Sequence, residues 1–475
     1  MSADLRAALD AQRAAFDAAM PEPLSVRRDR LKRAAAMVRD NALRFCDALS
    51  EDFGHRSREQ SMLTDIAGSI APIAHALKHL ERWAKPERRP VQFPLGLLGA
   101  RAWVEHQPKG VVGVIAPWNF PVNLVVSPLA GAFAAGNRAM VKLSEYTPVT
   151  AALLEELGPR WFAADELRFV SGGPDVGRAF AELPFDHLLF TGATAIGRHI
   201  LHAAADNLTP VTLELGGKSP AIIGRGADIA LATDRIATGK MMNAGQICLA
   251  PDYVLAPADQ EQAVADGLKS ATARMYPTLL DNPDYTSVVN DRHHQRLHDW
   301  LDDARAKGAS VEVVNPAAED FAGSNSRKMP LHIVRDVSDD MTLMQEEIFG
   351  PILPIVPYRG IEDAIARVNR GGRPLGLYHF GPDRAERRRV LDRTVSGGVT
   401  LDDVRFHVSM EDLPFGGVGP SGMGAYHGRD GFKTFSHARA VYRQARVDVA
   451  KLAGLKPPYG AATRKAAARQ IGNPS

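Results

Sequence analysis

Cys248 stands in a turn whose residue types suit the presentation of a nucleophile. The run MMNAGQICLAPDY (241–253) places a Gly-Gln-x-Cys turn between a helical pattern and the apolar run YVLAP (253–257). Loops at the ends of elements carry many binding and catalytic side chains. Cys248 is therefore a candidate thiolate nucleophile, although most lone cysteines are inert core residues. Cys46, on an apparent helix without nearby glycines, is predicted to be of that inert kind.

Glu214 ends the apolar strand pattern VTLEL (211–215), directly before Gly216 and Gly217. Burial of a carboxyl disfavours its charged form and raises its pKa towards neutrality, where it can act as a general base. The alternative is a structural carboxylate that pairs with a lysine such as Lys218. The sequence around Glu214 leaves both interpretations open.

A glycine turn follows the strand pattern HLLFTG (187–192), and a helical pattern comes after it. Gly192 and Gly197 have the spacing of the first and last glycines of a dinucleotide-binding fingerprint, but Thr194 replaces the middle glycine. Amides at the start of that helix attract an anion such as a phosphate. An ordinary turn between a strand and a helix is the alternative.

The pattern along the chain predicts an α/β protein that positions these residues at strand ends. The first ~90 residues have helical periodicity, and strand patterns then alternate with helical ones, which favours a mostly parallel sheet covered on both faces. The division into two series of strands fits two stacked α/β domains. The predicted strands are VVGVIA (111–116), RAMVKL (138–143), LRFVSGG (167–173), HLLFTG (187–192), VTLELGG (211–217), SPAIIG (219–224), YVLAP (253–257), SVEVVNP (310–316) and ILPIVPY (352–358).

Composition excludes several classes of protein. The chain has 475 residues with 57 Lys plus Arg against 55 Asp plus Glu, so its net charge of +2 gives no global reason to bind nucleic acid or an anionic membrane. The uncharged stretch 110–137 contains three prolines and is predicted to be buried core. Two cysteines cannot form a disulfide framework, which indicates a reducing, cytoplasmic setting. The i, i+4 histidine pairs are interpreted as solvated helix faces, and no metal is expected.

Six motifs together resemble the aldehyde dehydrogenase superfamily, in the order that the family has them. The resemblance covers essentially the whole chain. GQICLAPDY (245–253), MEDLPFGGVGPSGMGAYHG (410–428) and FKTFSHAR (432–439) are most similar to the branch that holds the class 3, fatty aldehyde and bacterial coniferyl aldehyde enzymes, and GHRSREQS (54–61) looks most like the coniferyl group. The six motifs are PWNFP (117–121), FTGATAIG (190–197), ELGGK (214–218), Cys248, EIFGP (347–351) and PFGG (414–417).

The resemblance implies roles for three residues in the oxidation of an aldehyde to a carboxylic acid. Cys248 would attack the aldehyde carbon, and the resulting thiohemiacetal would become a thioester after hydride transfer to the nicotinamide. The side-chain amide of Asn119 and the backbone N–H of Cys248 would stabilise the oxyanion. Glu214 would activate the water that hydrolyses the thioester.

The resemblance also implies a nicotinamide cofactor. Glu347 and Phe349 would hold the nicotinamide ribose and ring, while Lys142 and Glu145 would take the adenine ribose hydroxyls. The charge of Glu145 opposes a 2′-phosphate, so NAD is favoured, although the branch accepts NADP. The sequence departs from the family pattern at two places: Lys-Leu-Ser-Glu stands at 142–145, and Ala193 stands where a serine is common. We therefore expect modest affinity for the cofactor. The predicted cofactor-binding residues are Trp118, Lys142, Glu145, Thr191, Gly192, Ala193, Gly197, Leu215, Glu347 and Phe349.

The predicted substrate pocket is apolar and rich in aromatic residues, which suits an aryl or alkyl aldehyde and disfavours a charged semialdehyde. Coniferyl or another aromatic aldehyde is the expected substrate, with a medium or long-chain fatty aldehyde as the alternative. A cysteine acyl-hydrolase is the alternative from another class, but it has no use for the cofactor motifs. The pocket residues are Phe120, Leu124, Met242, Ile247, Leu249, Phe406, His407 and Phe415.

The resemblance divides the chain into a Rossmann-type cofactor domain and a second α/β catalytic domain with a small β oligomerisation arm. Residues 1–92 and 112–214 are predicted to form the NAD-binding domain and residues 215–420 the catalytic domain. The segments 93–111 and 436–450 are predicted to mediate oligomerisation. Exposed strands of this kind need a partner, so we expect a homodimer.

Overall fold

The structure, a computed structural model, describes residues 2–93 and 95–472 of the chain. Five helices come first, as their periodicity predicts, and the three sheets follow. The helices are α1 (Ser2–Ala19), α2 (Leu24–Asp40), α3 (Ala42–Phe53), α4 (Arg58–Ser61), α5 (Gly68–Ala84), α6 (Asn123–Ala135), α7 (Pro148–Trp161), α8 (Pro174–Ala181), α9 (Thr194–Ala205), α10 (Ile229–Met241), α11 (Glu261–Met275), α12 (Asp291–Ala306), α13 (Thr342–Gln345), α14 (Ile361–Arg370), α15 (Arg384–Arg393), α16 (Gly428–Thr434), α17 (Val449–Leu452) and α18 (Ala461–Ile471).

The strands lie in three sheets, and each of the strands predicted from the sequence is present. The strands are β1 (Glu87–Arg89), β2 (Arg101–Pro108), β3 (Val111–Ile115), β4 (Arg138–Lys142), β5 (Leu167–Val170), β6 (His187–Gly192), β7 (Val211–Leu215), β8 (Pro220–Ile223), β9 (Tyr253–Pro257), β10 (Ser310–Val314), β11 (Leu331–Arg335), β12 (Ile352–Tyr358), β13 (Gly376–Phe380), β14 (Gly398–Leu401), β15 (Gly422–Met423) and β16 (Ser436–Arg443).

The first sheet has the order β15-β7-β6-β3-β4-β5 and is parallel except for the antiparallel edge strand β15. The predicted parallel sheet is therefore confirmed. Helices α2, α5, α6 and α7 pack on one face, while α1, α8 and α9 pack on the other. Strands covered on both faces are buried at successive residues rather than at alternate ones. In β4, for example, every residue is buried.

The second sheet has the order β10-β11-β12-β9-β8-β13-β14, with β10 antiparallel at one edge. Helices α10 and α11 contribute to the apolar core on one face, and α14 and α15 to the core on the other. The predicted second series of strands is thus present. It also includes β11, β13 and β14, which the strand prediction missed.

The third sheet has three antiparallel strands in the order β1-β2-β16. Its strands cover only part of the two segments predicted to mediate oligomerisation. Within 93–111, β2 covers 101–108, residues 93 and 95–99 form turns, and residue 94 lies outside the described residues. Within 436–450, β16 ends at Arg443 and α17 begins at Val449, so the expectation of strand does not hold beyond Arg443.

The uncharged stretch 110–137 forms β3, the following loop and α6, and most of it is buried, as predicted. Within residues 2–93 and 95–472, no helix has both the length and the apolarity that a membrane span requires.

Candidate active site

The carboxyl ends of neighbouring parallel strands bring several predicted site residues to one edge of the first sheet. Thr191 on β6 lies beside Glu214 on β7, and Ile115 on β3 lies beside both Lys142 on β4 and Phe190 on β6. The loop that carries Asn119 leaves β3 at this edge. Open parallel sheets bind ligands at such an edge.

Glu214 is buried near the end of β7, with Gly422 of β15 as its antiparallel neighbour. Burial raises the pKa of Glu214 from 4.5 to about 8, a shift that the nearby Cys248 thiol offsets only in part, and Glu214 Oε1 is buried without a hydrogen-bond partner among the described residues. Lys218 does not pair with Glu214, because its ammonium group contacts Asp252 and the carbonyl oxygens of α13 and its C-terminal end. Lys218 therefore does not support the alternative in which Glu214 is a structural carboxylate paired with this lysine.

The loop before Cys248 is held in a left-handed backbone conformation. Asn243 and Ala244 have φ values of 52° and 51°, and Gly245 has φ 76°. A Cβ at Gly245 would lie 2.4 Å from the carbonyl oxygen of Gly350, so only glycine fits. Non-glycine residues in this region store backbone strain, which is common at functional sites.

Gln246 fixes this loop from inside. Its side-chain amide donates to the carbonyl oxygens of Asn243 and Ser287 at 2.9 and 3.0 Å, and its side-chain oxygen accepts from the backbone N–H of Val289 at 2.9 Å. The glutamine of the Gly-Gln-x-Cys pattern therefore holds the loop before Cys248 in place.

Burial, followed by the charges of two nearby glutamates, raises the pKa of the Cys248 thiol well above its ordinary value.

Asn119 is buried and reaches the same loop. Its side-chain Nδ2 donates to the carbonyl oxygen of Gln246 at 3.2 Å, two residues before Cys248. Its own carbonyl oxygen accepts from Asn243 Nδ2 at 3.1 Å and from Arg56 at 2.9 Å. The amide of Asn119 is therefore held beside the candidate nucleophile, where an oxyanion donor is needed.

Glu347 and Phe349 lie on the far side of Glu214, next to the glycines that follow β7. A Cβ at Gly216 would lie 2.0 Å from Glu347 Oε2, so the backbone of Gly216 passes directly against this carboxyl. Burial raises the pKa of Glu347 to about 8. The rings of Phe349 and Trp118 meet edge to face with centroids 5.3 Å apart. Glu347 and Phe349 therefore contact two segments that follow strands of the first sheet, Gly216 after β7 and Trp118 after β3.

The predicted ribose-binding pair lies at the end of β4. Lys142 Nζ is 3.4 Å from Glu145 Oε2, and it donates to the carbonyl oxygen of Leu143 at 2.6 Å. Lys142 is buried, whereas Glu145 is exposed. The Thr191 hydroxyl is buried without a hydrogen-bond partner, so it is free to serve a ligand.

The glycine turn between β6 and α9 brings the helix close to the sheet. A Cβ at Gly197 would lie 2.9 Å from Leu215 Cδ2, so α9 approaches β7 closely at this glycine. Gly192 ends β6, and Ala193 is the exposed residue before α9. Thr194, in place of the middle glycine, donates its hydroxyl to the carbonyl oxygen of Pro420 at 3.0 Å.

Five of the eight predicted substrate-pocket residues belong, with Cys248, to the large apolar core on one face of the first sheet. Phe406 does not join it, since its side chain is 56% exposed, and Leu124 on α6 is half-buried outside it. His407 is buried and hydrogen-bonds Thr400 Oγ1 at 2.8 Å, with its ring 6.3 Å from that of Phe415. The predicted residues in the cluster are Phe120, Met242, Ile247, Leu249 and Phe415.

Several residues near the site were not singled out from the sequence. Arg56 and Asp65 lie behind Asn119, and Tyr426 contributes to the apolar cluster near Cys248 and Glu214. His293 stacks near Trp118 with ring centroids 5.1 Å apart. Arg56 and Tyr426 belong to segments that carry the family resemblance, which is the one signal that points to them. The described residues contain no group of three or more side chains arranged to hold a metal ion.

Comparison with known proteins agrees with this geometry. Residues 1–441 match the aldehyde dehydrogenase family. The chain is 55% identical to a probable coniferyl aldehyde dehydrogenase of Caulobacter vibrioides over 93% of this chain and 91% of that one. It is 54% identical to a coniferyl aldehyde dehydrogenase of a Pseudomonas species, covering 96% and 94% of the two chains. The substrate-bound structure of Staphylococcus aureus AldH superposes with a TM-score of 0.90 at 34% identity, over 98% and 99% of the chains.

Proposed function

This chain belongs to the aldehyde dehydrogenase family, and we propose that it oxidises coniferyl aldehyde or a closely related phenylpropenal to the carboxylic acid. The observation that carries the proposal is the hydrogen bond of 3.2 Å by which the buried Asn119 amide meets the loop of Cys248, with Glu214 buried nearby and its pKa raised to about 8. Relatives named for coniferyl aldehyde at 54% and 55% identity support the substrate.

Cys248 is the proposed nucleophile. Its thiol first releases its proton to water, the sulfur then adds to the aldehyde carbon, and the carbonyl oxygen takes up the negative charge. Asn119 Nδ2 and the backbone N–H of Cys248 then donate to that oxygen, a type of interaction worth about 3 kcal/mol per donor. Loss of hydride from the same carbon leaves a thioester on Cys248.

Glu214 is the proposed general base for hydrolysis. Its pKa of about 8 lets the carboxylate accept a proton from water near neutral pH, which a carboxylate of ordinary pKa does poorly. The activated water adds to the thioester carbon, and the C–S bond breaks to release the acid and regenerate the thiol. Exclusion of water by the surrounding apolar side chains maintains the raised pKa.

The nicotinamide cofactor, when bound, accepts the hydride. The buried, unpartnered Thr191 hydroxyl and the close passage of Gly216 against Glu347 fit a ligand laid along this edge of the sheet. Glu347 and Phe349 would hold the nicotinamide end, and Lys142 with Glu145 the adenosine end. The remaining proposed contacts come from Trp118, Gly192, Ala193, Gly197 and Leu215.

NAD is the proposed preferred oxidant, because the exposed Glu145 carboxylate repels a 2′-phosphate. The expected effect of Glu145→Gln is a rise of about fivefold in kcat/KM with NADP relative to NAD, which corresponds to about 1 kcal/mol of repulsion. Initial rates with both cofactors measure this ratio. A ratio that stays at the wild-type value would exclude Glu145 as the discriminating residue.

We also propose that the protein is a homodimer in a reducing, cytoplasmic compartment. The predicted division into NAD-binding and catalytic domains is part of the same proposal. Both cysteines are free thiols, in keeping with such a compartment. β16 is an exposed edge strand of the third sheet, and an exposed edge needs cover. Light scattering should give about twice the chain mass of 51.4 kDa; a particle of one chain mass refutes the dimer.

Substrate preference is tested by kcat/KM for coniferyl aldehyde, cinnamaldehyde, acetaldehyde and long-chain aliphatic aldehydes. A planar conjugated aldehyde loses little conformational freedom on binding, so we expect it to exceed acetaldehyde by at least about tenfold. A maximum at long aliphatic chains would replace the coniferyl proposal with a fatty aldehyde one.

A pair of phenylalanine variants separates the pocket from the rest of the core. Phe415→Leu should lower the ratio of kcat/KM for cinnamaldehyde over an aliphatic aldehyde, because it removes a ring from the proposed pocket. Phe432→Leu is the control, since Phe432 is equally buried but stacks on Trp83 and His106 instead. The control should lose stability and keep the wild-type ratio.

A further inference from the structure

Arg56 and Asp65 form an ion pair that is fully buried beneath the Asn119 loop. The Arg56 guanidinium is 2.6 Å from Asp65 Oδ2, and neither side chain has any exposed surface. The guanidinium also lies over the rings of Phe53 and Phe120, at 4.7 and 5.2 Å from their centroids. This pair takes no direct part in the proposed chemistry.

The pair comes from an irregular part of the helical layer. Arg56 follows the left-handed Gly54 that ends α3, and Asp65 lies in a π-helix, Met62–Ala67, inserted between α4 and α5. A π-helical turn shifts the side chains that follow it and is frequent at functional sites. Here it allows the Asp65 carboxylate to face the loop after β3.

The pair binds the middle and the C-terminal end of that loop. Arg56 Nη1 donates to the carbonyl oxygen of Asn119 at 2.9 Å. Asp65 Oδ1 accepts from the backbone N–H groups of Val122 and Asn123 at 3.1 and 3.3 Å. The pair thus fixes the backbone of Asn119 itself and of the residues that lead from it into α6.

A second connection runs from the same region to the loop of the proposed nucleophile. The side-chain oxygen of Gln60 accepts from the backbone N–H of Asn243 at 2.8 Å. Asn243 Nδ2 in turn shares the Asn119 carbonyl oxygen with Arg56. The α4 region therefore holds the oxyanion loop and the nucleophile loop in one hydrogen-bonded network.

Stability alone is a poor explanation for a charged pair at this position. Removing two charges from water has a large desolvation penalty, and apolar replacements of buried ion pairs often leave proteins as stable or more stable. An ion pair does, however, impose a specific geometry on the groups that it contacts. The groups contacted here are the backbone of Asn119, which carries the proposed oxyanion donor, and the end of its loop.

We propose that Arg56 and Asp65 are positioning residues that hold the Asn119 amide at the oxyanion site. The inference rests on the proposed roles of Asn119 and Cys248. Removal of either charge lets the loop relax and moves the amide away from the developing oxyanion. It leaves cofactor binding intact, because the pair makes no contact with the proposed cofactor residues.

Asp65→Asn and Arg56→Lys are the first variants to measure. Asparagine keeps an oxygen for the Val122 and Asn123 amides but loses the charge, and lysine keeps the charge but loses the planar double contact. We expect kcat to fall by about 10-fold to 100-fold, as for other residues that orient a reacting group, with KM for NAD within about twofold of wild type. Unchanged kcat in both variants overturns the proposal.

A double-mutant cycle with Asn119→Ala separates positioning from general destabilisation. If the pair acts through Asn119, Asp65→Asn should lower kcat by no more than about twofold in the Asn119→Ala background. An equal factor in both backgrounds refutes positioning. Full kcat in Asn119→Ala alone would instead refute the proposed oxyanion role, and absence of aldehyde oxidation in wild type would refute the proposed function.

Glu22→Gln is the matched control. Glu22 and Arg30 form another buried ion pair in the helical layer, 3.3 Å apart, which contacts neither loop of the site. This variant should lose stability and keep the wild-type kcat. If Asp65→Asn does not fold, the doubly neutral Arg56→Gln/Asp65→Asn protein is measured in its place, and the same fall in kcat is required of it.

Discussion

The two cysteines of this chain differ in the groups that surround the sulfur. Cys46 lies on α3 in the helical layer, and its Sγ has the Arg58 carbonyl oxygen as its hydrogen-bond partner, at 3.9 Å. Cys248 lies on a strained loop, near the Glu214 carboxyl and the Asn119 amide. Burial raises the pKa of both thiols. Thiol acidity in the resting protein therefore does not distinguish them.

The difference shows what a nucleophilic site needs beyond a sulfur atom. A reacting carbonyl at Cys248 would find a base and oxyanion donors already in place, held by loops whose backbone is fixed by buried hydrogen bonds. Cys46 lies in the apolar core, and the charged groups around its thiol are already paired with one another, Arg56 with Asp65 and Arg58 with Asp47. Preorganised neighbours, rather than the thiol pKa, are proposed to make one cysteine catalytic.

The largest expected effect is the loss of activity in Cys248→Ala. Turnover should fall by at least about 1000-fold, because the covalent route is removed, while Cys46→Ala should stay within about twofold of wild type. Both variants are compared by NADH formation at saturating substrates. Losses of similar size in the two variants would contradict the proposal that Cys248 alone is catalytic.

Asn119→Ala should give the next largest effect. Removing one oxyanion donor lowers kcat by about 100-fold to 1000-fold in acyl-transfer enzymes, and a similar fall is expected here. Asn282→Ala is the matched control, since Asn282 is also buried and hydrogen-bonded to backbone groups but lies away from both thiols. A control variant that loses as much kcat would assign the effect to folding.

The smallest effect concerns the pH dependence of stability at Glu214. Its pKa is raised above the ordinary value of 4.5, so the folded state holds a proton that the unfolded state has released. The resulting stabilisation is present below pH 4.5 and is lost as pH rises towards 8. Glu214→Gln should therefore lose less stability than wild type between pH 6 and pH 8.5. Parallel urea-unfolding curves for the two proteins would contradict the raised pKa.

The sequence predicts the first sheet well, because its strands are continuous apolar runs between clear helical patterns. The strands β13 and β14 are missed, since they are short and contain Gly376, Gly398 and polar residues. Their strand character comes from parallel pairing with each other and with β8. The end of β16 at Arg443 is likewise set by its partner β2, whose first residue pairs with it.

Sequence patterns likewise predict part of the candidate site and miss the rest. Cys248 and Glu214 are recognisable from their neighbours in sequence, and the family resemblance adds Asn119. The pairing of Arg56 with Asp65 is not recognisable, because a buried ion pair has the same residue types as a surface one; only the family-like segment 54–61 points to Arg56. Their burial depends on a π-helix that leaves no signal in hydrophobic periodicity.

The most direct test of the proposed pair of Cys248 and Glu214 is a rapid-mixing experiment on Glu214→Gln with NAD and cinnamaldehyde, followed by acid quench and peptide mass analysis. Removing the Glu214 charge also removes one cause of the raised thiol pKa, so acylation should proceed while hydrolysis stops. We predict a burst of about one NADH per chain and an acyl group on the Cys248 peptide. Absence of both, or acylation at Cys46, would contradict the account.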